Sequence, residues 1–244
     1  MAGVISGDEP GHGPRNIGPT NESRQPSIVH RPIVAFDFDG TLTTHDSFRA
    51  FLRWRVGSGR YVAGLTTLGW DLLRYLRSGD RGRLKAAVAR RFLGRARREE
   101  IESWARSFAE THARSLLRPD AVRAWKYWRS RGARLVIVTA SPEDLVAPFA
   151  RGLGADLLLG SRLAFDTQDR FTGQLDGPNC RGAEKVARLR EAFGQDMRLE
   201  AAYGDSDGDR AMLAMAEDAG YRVFSASPLS PDRERRRPRR HRTV

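Results

Sequence analysis

The chain has 244 residues and a formal net charge of +12, long enough for a substantial core and, at about 150 residues per domain, for one to two domains. Its single cysteine, Cys180, cannot pair within the chain, which excludes a disulfide scaffold and a thiolate zinc cluster and points to a reducing compartment. The charge is uneven: residues 46–118 hold seventeen basic and seven acidic side chains, and residues 230–244 hold seven arginines against two acids.

Residues 1–30 lack apolar periodicity and read as a disordered tail. They contain no apolar block of the kind a secretory signal needs, so export is not expected; the expected location is the cytoplasm, with peripheral contact to an anionic membrane. The sequon at Asn21 reads as a chance match in that tail. The first strand is expected over Ile33 to Phe38, where a β-branched and aromatic run ends in Asp37, Asp39, Gly40 and Thr41. Asp37 and Asp39 are two residues apart, so in strand geometry they share a side while Phe38 faces away. In an open α/β sheet the carboxyl ends of the strands border the ligand crevice. Two acids aimed at one point there call for a hard cation such as magnesium.

From Asp46 to Arg118 the apolar spacing turns helical and predicts four helices, broken at residues 57–59, 78–82 and 94. One of them carries the stripe Tyr61, Leu65, Leu68, Leu72, Leu76, flanked by arginines; burial against neighbouring helices is expected, an interfacial position at a membrane being the alternative. Pro119 opens a further helix, with Trp125 and Trp128 packing in the core. A second strand follows at residues 134–139, and Ser141 with Pro142 reads as a helix start. Residues 156–159 suggest a short strand, and residues 163–165 with 171–175 a hairpin. A helix over 182–193 carries Lys185. A strand over 199–203 ends in Gly204-Asp205-Ser206-Asp207-Gly208-Asp209, residues 212–216 return to helix, and residues 221–224 form the last strand. Strands alternating with helices predict an α/β fold with a doubly wound, mostly parallel sheet. The expected division is a core of residues 31–45 and 119–227, a helical lobe at 46–118, and a disordered basic tail at 228–244.

Thr139, Lys185, Asp205 and Asp209 recur at or beside strand ends. Singly each has a plain explanation as a cap, a solvated helix residue or a loop acid. In order after Asp37 and Asp39, they supply what metal-assisted phosphoryl transfer requires: a carboxylate nucleophile, a hydroxyl, a lysine and a distal acidic cluster.

These residues resemble the haloacid dehalogenase-like hydrolases. The four ordered motifs of that family stand here as Asp37-Phe38-Asp39-Gly40-Thr41, Thr139, Lys185, and Gly204 to Asp209. The resemblance implies a Rossmann-like core with 46–118 as an inserted all-helical cap. Within the family the chain is most similar to the phosphoserine-phosphatase-like branch (subfamily IB), and more narrowly to phosphatidylglycerophosphatase C-like proteins. The narrower likeness lies in Thr41 to Phe48, Thr139 to Leu145, Asn179 to Val186 and Gly204 to Leu213. It implies Asp37 as nucleophile and Mg²⁺ on the Asp37 carboxylate, the Asp39 carbonyl and Asp205. It also implies Asp39 as general acid and base, Lys185 and Thr139 on phosphate oxygens, and Asp209 behind Lys185 or metal-bound water. An anionic phosphomonoester is the expected substrate, with a phosphatidylglycerophosphate or related lipid or glycerol phosphate preferred. Asp46 sits where phosphoserine phosphatases place a glutamate that contacts the substrate amine, but Ala140, Ser141 and Pro142 stand where those enzymes have a glycine pair. The arginine-rich tail leaves nucleic-acid binding as a distant alternative. With only Lys85, Lys126 and Lys185 as lysines, the arginine excess runs through the whole chain and weakens that inference.

Overall fold

The fold comes from a computed structural model that describes residues 31–79 and 81–228. The expected N-terminal tail with its sequon, and the basic tail beyond Pro228, lie outside the described residues, as does the side chain of Leu72. The described part is one compact unit starting at Arg31.

Six strands form one sheet in the order β4-β3-β2-β1-β5-β6: β1 Ile33–Phe36, β2 Arg134–Pro142, β3 Leu157–Phe165, β4 Phe171–Asp176, β5 Leu199–Gly204 and β6 Ala216–Tyr221. All neighbours pair in parallel except β3 with β4. Alternation along the central strands sends side chains to two separate cores. Val34, Phe36, Leu135 and Ile137 enter one; Ile33, Ala35, Val136 and Val138 enter the other. The strand order reverses between β1 and β5, whose carboxyl ends therefore flank the crevice where such sheets bind ligands.

Between β1 and β2 come five helices, α1 Ser47–Val56, α2 Ser58–Thr66, α3 Gly69–Ser78, α4 Arg81–Leu93 and α5 Arg98–Leu116, then α6 Pro119–Ser130. The remaining helices are α7 Glu143–Leu153, α8 Ala183–Phe193 and the short α9 Arg210–Leu213. The sequence predicts four helices before Pro119; the extra break separates α2 from α3. There the Thr66 and Thr67 hydroxyls donate to the carbonyls of Ala63 and Gly64, which closes α2 although the apolar spacing runs on. The expected burial of that stripe also divides. Tyr61 stacks on Phe92 and is buried, as is Leu68, but Leu65 and Leu76 are exposed.

Three strand boundaries depart from expectation. Residues 157–165 form one strand through Gly160, because a Cβ there would meet the Ser141 carbonyl at 2.9 Å and glycine lets the chains close up. The final strand is Ala216–Tyr221 in place of residues 221–224, and the expected helix over 212–216 ends at Leu213. As an edge strand β6 is mostly exposed and lacks the apolar alternation that marks a buried one. Finally, β2 continues through Ser141 and Pro142, so α7 begins at Glu143 rather than with a serine cap. A residue before proline is held extended, which keeps Ser141 in the strand.

Candidate active site

β1 leads directly into Asp37, whose backbone N–H donates to the Tyr203 carbonyl of β5 at 2.8 Å and so lays the two strand ends side by side. The chain then turns through Asp39 and Gly40. Gly40 has φ +82°, and a Cβ on it would lie 2.3 Å from Asp205 Oδ2, so glycine alone fits this approach. Both conditions bring Asp205, at the end of β5, against the first turn. Oxygens of Asp37, Asp205 and Asp209 lie within 4.8 Å of one another.

Lys185 comes from the first turn of α8 and is almost completely buried. Its ammonium donates to Asp37 Oδ1 at 2.5 Å, Asp209 Oδ1 at 2.7 Å and the Val138 carbonyl at 2.6 Å, using all three donors. Asp209 is fixed from its other oxygen, which accepts from the Ser206 N–H at 2.9 Å and the Ser206 hydroxyl at 2.8 Å. Burial favours the neutral form of each group, but the charges answer one another. For Lys185 the burial effect is outweighed by Asp37 and Asp209, which hold its pKa above the usual lysine value. For Asp209 it is outweighed by Lys185, and the pKa falls. Asp37 is different: burial, reinforced by the neighbouring Asp209 and Asp39 charges, exceeds the help from Lys185 and pushes it up to about 7.

Asp39 sits across the cleft from this lysine. Its Oδ1 accepts from the Ser47 N–H at 2.6 Å, at the start of α1, and its Oδ2 accepts from the Ser141 hydroxyl at 2.5 Å. Burial and the Asp46 charge raise its pKa, against the pull of those donors. Thr139 is fully buried at the wall of the cleft, its hydroxyl accepting from the Ser141 N–H at 3.0 Å. Asp46 lines the cleft too, while its Oδ1 accepts from the Arg49 N–H at 2.8 Å as the N-cap of α1. The structure thus brings Asp37, Asp39, Asp46, Thr139, Lys185, Asp205 and Asp209 to one cleft of about 670 Å³.

Ser141, which holds Asp39, and Lys85, which lines the cleft, are absent from the sequence-derived set. The proline after Ser141 is the signal that would have kept it in the strand. Lys85, from α4, donates to the Ala140 carbonyl at 2.6 Å; burial lowers its pKa, opposed by Asp39 and Asp46. Its only sequence signal is that it is the one lysine in an insert otherwise furnished with arginine.

The donor set accommodates a divalent cation. It consists of oxygen atoms alone, three carboxylates converge, and burial raises the pKa of Asp37 and Asp205, so a cation beside them would favour their ionised forms. Asp37 and Asp205 would hold the ion.

Comparison with known proteins identifies the family. The family model for haloacid dehalogenase-like hydrolases matches residues 34–214, from within β1 past α9. Protein CicA of Caulobacter vibrioides is 58% identical over 200 residues, covering 82% of this chain and 90% of that protein. Phosphoserine phosphatase SerB1 of Mycobacterium tuberculosis is 27% identical over 234 residues, covering 90% of this chain and 71% of its own. Among solved structures, a Bordetella pertussis protein of unknown function superposes with a TM-score of 0.63 at 24% identity, over 75% of this chain and 86% of that one. A phospho-aspartyl intermediate analogue of phosphoserine phosphatase superposes with a TM-score of 0.51 at 19% identity, over 76% and 83%. The structures share the fold, and the family model spans most of the chain: the chain belongs to the haloacid dehalogenase-like hydrolases.

Proposed function

We propose that this protein is a Mg²⁺-dependent phosphomonoester phosphatase acting through an aspartyl-phosphate on Asp37, with a phosphatidylglycerophosphate or a related lipid or glycerol phosphate as substrate. The observation that carries the reading is the contrast between two aspartates on one cleft: Asp37 accepts from a buried ammonium, whereas Asp39 accepts from a hydroxyl and an amide. The Asp37 carboxylate forms the new bond to phosphorus as the ester P–O bond breaks. Asp39, its pKa raised, gives its proton to the departing oxygen, then takes one from the water that cleaves the aspartyl-phosphate and frees phosphate. Lys185 and the Thr139 wall face the phosphoryl oxygens, where Lys185 offsets their growing charge. A bound Mg²⁺ supplies further positive charge to those oxygens.

The substrate class rests on the walls of the cleft. Phe48, Leu52, Tyr61, Leu84 and Val88 make one side apolar, while Arg49, Lys85, Arg118 and Arg181 make it cationic elsewhere. A second hollow of about 470 Å³ shares His45, Asp46 and Arg49 with it and adds Arg53 and His112, which suits a substrate with another anionic group. Phosphoserine is the second reading, favoured by Asp46 at the cleft and opposed by Ala140-Ser141 in the second motif. The test compares phosphate release from phosphatidylglycerophosphate in vesicles, glycerol phosphate and phosphoserine, with Mg²⁺ and with a chelator. Mg²⁺-dependent turnover highest on the lipid is expected. A wide preference for phosphoserine sinks the lipid assignment, and indifference to chelator sinks the metal.

Ser141→Ala tests the role of Asp39. Losing the hydroxyl that favours the ionised carboxylate raises the Asp39 pKa further, so the kcat–pH profile moves to higher pH, with a fall in kcat on the order of tenfold at neutrality. A profile that keeps its position would remove Ser141 from any influence on the acid.

A further inference from the structure

The insert carries a surface that the catalytic reading does not use. Val62, Trp70 and Leu76 are 62%, 76% and 71% exposed, with Leu65 and Leu73 beside them on α2 and α3 at 38% and 37%. Large apolar side chains are rarely left in water in such a group. The exposure follows from how α2 is held. Tyr61 stacks on Phe92 of α4 with ring centroids 4.9 Å apart, and Gly64 lies so close to the same ring that a Cβ there would come within 2.5 Å of it. With that face committed to α4, Val62 is left mostly in water and Leu65 partly so.

The composition around the face names its occupant. Arg60, Arg74 and Arg77 are exposed on the same two helices, and Asp71 is the single acid in residues 58–79. Apolar bodies for the acyl boundary, a tryptophan for the headgroup level and arginines whose stems can lie along apolar surface match an anionic bilayer. A protein groove would take the apolar residues but leave three guanidinium groups to be paired separately. At ten residues α3 is about 15 Å long, half a hydrocarbon core, and no described helix is long and apolar enough to cross a membrane, so the pair would lie in the interface.

We propose that the exposed face of α2 and α3 docks this protein on anionic lipid bilayers. The two helices that flank α3 line the catalytic cleft, α2 with Tyr61 and α4 with Leu84, Lys85 and Val88, so adsorption sets the cleft beside the lipid headgroups. Its purpose, delivery of a lipid phosphate, rests on the phosphatase reading; the adsorption itself needs no turnover.

The experiment is co-sedimentation of the full chain with phosphatidylcholine vesicles, with and without phosphatidylglycerol, alongside the Trp70→Ser/Leu76→Ser double variant. The intact chain is expected to partition onto the anionic vesicles, with the Trp emission shifting to the blue. The double variant is expected to lose about tenfold or more in partition coefficient, while hydrolysing a small soluble phosphomonoester at the parental rate. Equal partition of both chains overturns the proposal, since the arginine-rich tail would then account for binding. Equal binding to neutral vesicles overturns its anionic part, and a self-association that the double variant abolishes without vesicles assigns the face to a second copy. Vesicle binding without turnover of any phosphomonoester would overturn the phosphatase reading and leave the docking surface standing.

Discussion

Asp37→Asn is expected to cut phosphate release by about 10³-fold or more, about 4 kcal/mol of barrier, because the proposed reaction forms its new bond to phosphorus on the Asp37 carboxylate. The amide keeps the shape of the carboxylate and can still accept from Lys185, so the defect should fall on chemistry rather than folding. It also removes a buried charge whose pKa burial has driven to about 7. That has a signed consequence. A carboxyl whose folded pKa lies above its unfolded value of 3.8 costs nothing below that value, and the cost is complete above about 7. Without Mg²⁺, the asparagine variant should therefore gain thermal stability over the parent as pH rises from 4 to 7, with the gain greatest above neutrality. Near-parental turnover would remove Asp37 as nucleophile; a stability difference that shrinks as pH rises would remove the account of its charge.

Lys185→Met carries the second large effect, this time on the fold. The ammonium answers two carboxylates and the Val138 carbonyl, all buried. Removing one partner from such a set typically costs about 3–5 kcal/mol, because the remaining charges stay desolvated. Urea denaturation at pH 8 should show that loss. It should narrow toward pH 4, where the aspartates protonate, and Mg²⁺ should return part of it by placing positive charge beside Asp37 and Asp205. Activity should fall with it even where the variant is folded. A variant as stable as the parent at pH 8 would mean that Asp37 and Asp209 are already solvated or neutral.

The legible part of the site is the part where chemistry and local geometry coincide in sequence. Asp37 and Asp39 end an apolar run, and Asp205 with Asp209 follow another, so each pair announces both its strand and its position at the mouth of the sheet. Lys185 could be placed by order but not by contact: its three partners come from the residue after β1, the turn after β5, and β2, up to 148 positions away. Ser141 was misplaced because a serine before proline also fits a helix cap, and only the extended backbone imposed by Pro142 decides between the two. Lys85 reaches the cleft through the packing of α4, which periodicity cannot orient about its own neighbours. The insert suffered most. An apolar spacing that continues from Tyr61 to Leu76 gives no sign that two threonine hydroxyls end a helix in the middle of it, nor which of its leucines has no partner.

One bond has a consequence for how such proteins can be recombined. Asp39 precedes the insert, yet one of its two oxygens is held by the amide of Ser47, the first residue of α1. The boundary of the interchangeable piece therefore lies inside α1 rather than before it. A chimera that exchanges the five helices wholesale would carry away one of the two donors that hold Asp39, whereas one spliced after the first turn of α1 would exchange most of the insert and leave both Asp39 oxygens held as they are here.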